Sequence, residues 1–240
     1  MARNTLTRDR IVEVAVQLLD EEGLDGLNMR ALGQRLDAAA TAVYWHVGSK
    51  DDLITLAVDR VWHELELPEP TAAGWRDAAR GMATELLAML TRHPWMLHTF
   101  GSYLTFGPGK ARHDDRAIAI YEAAGFSGPQ IDQAVTTVFT FVLGHALGAA
   151  APANLRRKLA RQNADPETVI QEHLGRAREV ITAFPRLQAR LETPTADYAA
   201  GPEDSFDFGL NAILDGLATL REDDQVNETT AQPGKPVNYR

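Results

Sequence analysis

The stretch from Asn28 to Lys50 constrains the fold more than any other part of the chain. Asn28 is suited to cap a helix, because its side-chain oxygen can accept from an otherwise orphan amide of the first turn, and Met29, Leu32 and Leu36 then recur on one face. A second helix is expected from Ala40 or Thr41, with Val43 and Val47 turned inward at i, i+4 and Gly48 closing it in a left-handed conformation. About three residues join the two, enough for a corner and nothing more, so the pair reads as a helix-turn-helix. In that motif the second helix enters the DNA major groove by its first residues, and flanking groups hold phosphates.

Residue types on the second helix sort into roles accordingly. Ala39, Ala40, Thr41 and Ala42 occupy the groove-facing positions, where Thr41 alone carries a side-chain hydrogen-bonding group. Direct readout would therefore lean on thymine methyls, Thr41, His46 and Arg30. Tyr44 and Lys50 suit phosphate oxygens, since a phenol and an ammonium bind them without reading sequence. Tyr44 could instead be plain core, but Tyr44, Trp45 and His46 cannot all be buried on so short a helix. Asn28, at the start of the first helix, Trp45, and Arg3 on an N-terminal arm complete the candidate DNA-binding set.

The run Tyr44-Trp45-His46-Val47, followed by Gly48-Ser49-Lys50-Asp51-Asp52-Leu53, resembles the TetR family of one-component transcriptional repressors, nearest its tetracycline-repressor branch. The motif spans residues 7–60, and beyond them the resemblance is one of layout. One departure is Asp37, which stands where the family usually has Gly; Asp tolerates the left-handed conformation better than most residues. The resemblance implies an all-α fold, with an N-terminal three-helix helix-turn-helix domain and a larger helical ligand-binding and dimerisation domain. It also implies a homodimer on a pseudo-palindromic operator, released when a small molecule binds. By the same comparison Gly101 and Thr140 stand where the drug-binding repressors carry a metal-coordinating and a drug-contacting His, so no response to magnesium-tetracycline is expected.

Taken in order, the chain divides into a helix-turn-helix domain over 1–50, a connecting helix over 51–67, a second domain over 68–222 and a disordered tail over 223–240. The first helix is expected over 7–22, capped by Thr7 and ending before Gly23. Ser49 with Asp52 resembles a capping box for the connecting helix, whose far end carries Trp62 and His63 roughly 20 Å away by the rise per residue. Pro68 and Pro70 stop that helix. Helices follow at about 75–92, 113–124, 128–151, 166–191 and 202–221. The helices near 129–151 and 202–221 are the pair through which family members dimerise, although such stripes could equally close a monomer core. Between 95 and 106 the chain is unusually aromatic and irregular. Any one of these rings could be ordinary core, but together with polar handles they read as a cavity wall. The candidate ligand-binding set is Trp62, Met82, Trp95, His98, Phe100, Tyr103, Phe139 and His145. It suits a small, largely apolar molecule.

A formal net charge of −9 argues against a general nucleic-acid binder, so any DNA contact must be local. The absence of cysteine removes disulfides, thiolate zinc sites and thiol nucleophiles. Residues 1–10 hold no apolar run resembling a signal peptide, and a cytoplasmic protein is expected. The helix over 128–151 is apolar nearly all round, but Thr136, Thr137, Thr140 and His145 interrupt it and no membrane span is expected. Arg156, Arg157, Lys158 and Arg161 read as a solvated loop. Gly107-Pro108-Gly109-Lys110 fails as a phosphate loop, because Leu104 and Ala111 replace the required Gly and hydroxyl residue. His113-Asp114-Asp115 fits a helix start better than a metal site. No catalytic residues, metal or cofactor are expected; an all-α enzyme and a regulator controlled by a protein partner are the other readings.

Overall fold

The computed structural model describes residues 6–71, 73–103, 105–162, 165–191 and 205–230. Within these residues the chain is all α, and Arg3 lies outside them. Helix α1 (Arg8–Gly26) starts on Thr7, whose hydroxyl accepts from the Arg10 amide at 3.2 Å. At Gly23 a φ of 68° takes the chain out of the helical region, so the expected end is a kink followed by one more turn. Helix α2 (Met29–Arg35) starts on Asn28, with Oδ1 accepting from the Ala31 amide at 2.8 Å. Asp37 carries the corner at a φ of 51°. Gly33 permits it from the other side, since a Cβ there would lie 2.6 Å from the Ala38 carbonyl oxygen. Helix α3 (Ala40–Val47) ends at Gly48. Helix α4 (Lys50–Trp62) opens with a reciprocal capping box, Ser49 Oγ accepting from the Asp52 amide at 3.0 Å and the Asp52 carboxylate from the Ser49 amide at 2.9 Å.

Burial explains why these four helices hold together. Ile11, Ala15 and Leu19 of α1, Leu32 of α2, Val43 of α3 and Leu53, Ile54 and Ala57 of α4 are fully buried against one another. Each large aliphatic side chain so buried contributes about 1.5–3 kcal/mol. The apolar face of α3 is thereby pinned inward, and its other face is left to solvent.

The second domain comprises α5 (Trp75–Arg92), a 3-10 turn (Pro94–His98), α6 (Pro108–Ala123), α7 (Pro129–Arg161), α8 (Pro166–Ile181), α9 (Pro185–Leu191) and α10 (Ser205–Thr230). Four boundaries differ from those expected. Helix α6 begins at Pro108 and not near His113: proline suits the first helical position, and the Gly109 amide is bonded by the Asp59 carboxylate of α4 at 2.7 Å. Helix α7 runs through Pro152 to Arg161, so the basic run is helix and not loop. Its end is held by Arg157, which donates to the Asp20 carbonyl, and by Arg161, which reaches the Glu22 carbonyl and Asp25. The segment 166–191 is two helices broken at Thr182–Phe184, and α10 continues to Thr230, into the stretch expected to be tail. Helix α7 is long and apolar enough to cross a membrane, yet Ala134, Val138, Val142 and Ala146 form a buried face against α5, α6 and α10.

Candidate functional site

Helix α3 presents Thr41, Tyr44 and Trp45 outward while Val43 and Val47 are buried. Trp45 is 82% exposed, far more than an indole normally tolerates without a partner, and its ring sits edge-on to His46 at 4.9 Å. Arg30, Ala39 and Ala40 share the wall of a shallow groove with Gln34, an exposed amide that the spacing of apolar residues did not single out. Asn28 is committed to structure: its Oδ1 caps α2 and its Nδ2 donates to the Gly26 carbonyl at 3.1 Å. Lys50 is likewise engaged, donating from Nζ to the Leu24 carbonyl at 3.2 Å, where it ties the kinked end of α1 to the start of α4. Of the DNA-binding set, then, Arg30, Ala39, Thr41, Tyr44 and Trp45 stand exposed on one surface, Ala40 and His46 are half-buried beside them, and Asn28 and Lys50 brace it.

In the second domain a small cavity of about 30 Å³ lies between three helices. Ala79, Met82, Ala83 and Leu86 of α5, His113, Ala117, Ile120 and Tyr121 of α6, and Val135, Val138, Phe139 and Val142 of α7 line it. Of the eight residues expected there, Met82 and Phe139 are on the wall. Trp62 is fully buried just behind, stacked on Phe139 at 6.5 Å and edge-on to Phe100 at 6.4 Å. The rest are elsewhere. Trp95 donates from Nε1 to Asp20 at 2.8 Å and so belongs to the joint with α1; His98 is exposed; Tyr103 is half-buried against the core; His145 faces Phe206 of α10 at 5.1 Å. Of the rings in the segment 95–106, Trp95 is drawn to α1, Phe100 lies between Trp62 of α4 and Phe139 of α7, and Phe106 is exposed. His113 and Tyr121 were missed as cavity residues, although their i, i+8 spacing with Ala117 between places all three on one face of α6.

Helix α6 also grips the end of α4. Besides the Asp59 bond to Gly109, Arg112 donates to the carbonyls of His63 at 3.3 Å and Leu65 at 2.8 Å, satisfying orphan groups past the end of α4. Arg116 donates to the Pro68 carbonyl at 2.9 Å. The approach is close: a Cβ on Gly109 would lie 2.7 Å from Trp62 Cβ and 2.8 Å from the Asp59 carbonyl oxygen. The glycines of the failed phosphate loop are thus explained by helix contact. Lys110, paired with Asp114 at 2.5 Å, sits 4.9 Å from the Phe139 ring centroid.

A second joint links the two domains at α1. His93, buried, places Nδ1 2.7 Å from Asp20 and Nε2 3.1 Å from Glu64. Burial alone would pull the imidazole pKa down, but the bonds and charges of Asp20 and then Glu64 outweigh it and hold it above the ordinary histidine value.

An exposed helix-turn-helix face joined by these contacts to an all-α domain with an internal cavity defines the class: a DNA-binding transcriptional regulator. The family comparisons agree. Residues 11–56 match the family described as bacterial regulatory proteins, tetR family, and residues 67–221 match the tetracyclin repressor-like C-terminal domain. The chain is 34% identical over 213 residues to an HTH-type transcriptional regulator of Saccharopolyspora erythraea, covering 89% of this chain and 85% of that protein. It is 35% identical over 225 residues to the HTH-type transcriptional repressor DrrR1 of Streptomyces coeruleorubidus, covering 90% and 78%. The structure of the Streptomyces coelicolor TetR family protein ActR in complex with actinorhodin is similar with a TM-score of 0.70 at 28% identity, covering 90% of this chain and 99% of that one. This chain belongs to the tetR family of bacterial transcriptional regulators, and it is not an enzyme.

Proposed function

We propose that the chain is a repressor that leaves its operator when a small, largely apolar molecule enters the cavity between α5, α6 and α7. The observation that carries this is the double duty of α6, which supplies His113 and Tyr121 to the cavity wall and, from its N-terminal part, Gly109 and Arg112 to the end of α4. A molecule that parts α6 from α7 must also move α4, and with it the helix-turn-helix. Such a ligand releases DNA only by binding the released state more tightly. The actinorhodin complex of ActR supports ligand binding in this fold. On the DNA side, Thr41 and Arg30 would read bases, Tyr44 and Trp45 would meet the backbone, and Lys50 would brace α3 while adding positive charge near phosphates. The partner is a second copy: Gly144, Gly148 and Gly216 have open space where a Cβ would stand, and Leu147, Phe208 and Leu220 are exposed beside them. Those apolar residues of α7 and α10 would meet their copies and not lipid. Two-fold pairing then implies a pseudo-palindromic operator read in the cytoplasm, its half-sites about one DNA turn apart.

Control by a protein partner is a second reading, favoured by the cavity volume of about 30 Å³, well below the roughly 300–1,000 Å³ of drug-sized sites. Screening compounds for release of labelled operator separates the two. Release by a cavity-binding compound supports the first reading, and failure of every tight binder to release DNA supports the second.

A further inference from the structure

The basic run at the end of α7 meets α1 at its kink. A helix end leaves carbonyls without amide partners, and the break at Gly23 gives α1 a second such end. Three cations from outside α1 reach carbonyls there: Arg157 of α7 donates to Asp20 at 3.4 Å, Arg161 of α7 to Glu22, and Lys50 of α4 to Leu24 at 3.2 Å. Each places positive charge at the negative end of a helix dipole. Arg157 and Arg161 stand at i, i+4 and so share one face of α7. Gly26 gives the second guanidinium room, since a Cβ there would lie 3.3 Å from it. Arg161 also pairs with Glu22 at 3.7 Å and Asp25 at 3.5 Å, but these pairs are exposed and contribute little alone, so the bonds to backbone fix the geometry.

Helix α7 is continuous from Pro129 to Arg161. Leu147, exposed on the face proposed above to meet a second copy, lies about 15 Å along the axis from Arg157 and about 21 Å from Arg161 by the rise per residue. Pro152 removes one ladder bond between them, so the turns beyond it are directed by what they hold. The helix-turn-helix is therefore attached twice: α6 grips the end of α4, and α7 grips the end of α1. A body held on α4 alone can swing about that helix, and a second hold on α1 stops the swing. His93 and Trp95 share the second hold through the Asp20 carboxylate, while Arg157 and Arg161 carry it to the helix of the dimer face. Resting on the two-fold reading above, we propose that Arg157 and Arg161 are positioning residues for operator binding, tying α1 to the dimer-forming helix and so setting the half-site spacing that the two recognition helices accept.

One base pair added or removed between half-sites shifts one of them by about 3.4 Å and turns it by about 35°. Helix-turn-helix units held at both α4 and α1 cannot follow such a change, whereas units freed at α1 can. The test uses the full chain, an operator selected by wild type from random duplex DNA, and two versions of it with one base pair inserted or deleted at the centre. Affinity is read from anisotropy of labelled DNA. Wild type is expected to prefer its own spacing roughly tenfold or more, and Arg157→Ala/Arg161→Ala about threefold or less while sedimenting as wild type does. Arg161→Ala alone, at a side chain 39% exposed, should lose part of the preference and reads the same effect should the double variant not fold. Arg156→Ala/Lys158→Ala is the control of equal charge: Arg156 bonds Glu167 of α8 at 2.8 Å, Lys158 is exposed, and neither bonds α1 among the described residues. It should keep the wild-type preference even where affinity for all three duplexes falls. An undiminished preference in the Arg157 and Arg161 variants, or an equal loss in the control, overturns the inference alone. A double variant that sediments as monomer where wild type is a dimer does the same. A wild type without spacing preference would remove the two-fold reading, and the inference with it.

Discussion

Gly109→Ala places a methyl group where α6 packs closely on the end of α4. The added Cβ would stand 2.7 Å from Trp62 Cβ and 2.8 Å from the Asp59 carbonyl oxygen, against ordinary carbon contacts of about 3.5–4.0 Å. Neither neighbour can rotate away, because one is the first side-chain carbon of a fully buried tryptophan and the other is backbone. The helices must separate by roughly 1 Å, and overpacking of this kind costs about 1–3 kcal/mol. The Asp59 bond to the Gly109 amide would lengthen from its 2.7 Å as well. At about 2 kcal/mol the melting temperature should fall by about 4–8 °C for a chain of this size. Operator affinity should fall together with it, since α4 carries the helix-turn-helix. Gly81→Ala is the control: it sits in α5 with nothing within 4 Å of an added Cβ, and should leave stability equal or raised by up to about 1 kcal/mol. Calorimetry and operator titration of both variants decide the matter. A Gly109→Ala protein that melts and binds operator like wild type would refute the argument that α6 holds α4 in register.

Other expectations rest on separate features. His93 has a raised folded pKa, so its contribution is fully present below the unfolded value of about 6.5 and is lost as pH rises through the folded pKa; wild type should exceed His93→Gln in melting temperature at pH 6, with the gap narrowing toward pH 8. Thr41→Ala should alter base preference among operator variants, whereas Lys50→Ala should weaken binding to all sequences alike and cost stability by freeing the Leu24 carbonyl; a Lys50→Ala protein that changes base preference would contradict the division of roles. Leu147→Glu should convert a sedimenting dimer to monomer at micromolar concentration, and a wild type that sediments as monomer would exclude α7 and α10 as a dimer face. Magnesium-tetracycline should not release operator, because Gly101 and Thr140, both exposed, offer no imidazole; metal-dependent release at micromolar drug would show the contrary.

What was legible in the chain was what acts over three or four residues. The Asn28 cap, the Ser49–Asp52 box, the left-handed Asp37 and the Gly48 terminator follow from local geometry, and all four are present. The family and the all-α architecture were legible with them. The misreadings have distant causes. Helix α6 starts early because Asp59, 50 residues away, caps it, and α7 outruns Pro152 because Arg157 and Arg161 anchor to the end of α1, 137 and 139 residues away. Trp95 left the expected wall for Asp20, 75 residues distant. That Tyr121 shares a helix face with His113 was readable from spacing; that its hydroxyl lacks a partner depends on what three helices fail to supply, and no local pattern encodes it.

The central claim, that filling the space between α5, α6 and α7 moves α4, is tested most directly by operator release in a variant whose cavity is already filled. Ala117→Val adds two methyl groups to the α6 wall of a cavity of about 30 Å³. With labelled operator and an identified releasing compound, wild type should lose DNA as the compound is added, while Ala117→Val should bind operator and lose it only at roughly tenfold or higher compound concentration. Release at the same concentration from both proteins would place the ligand elsewhere and contradict the account.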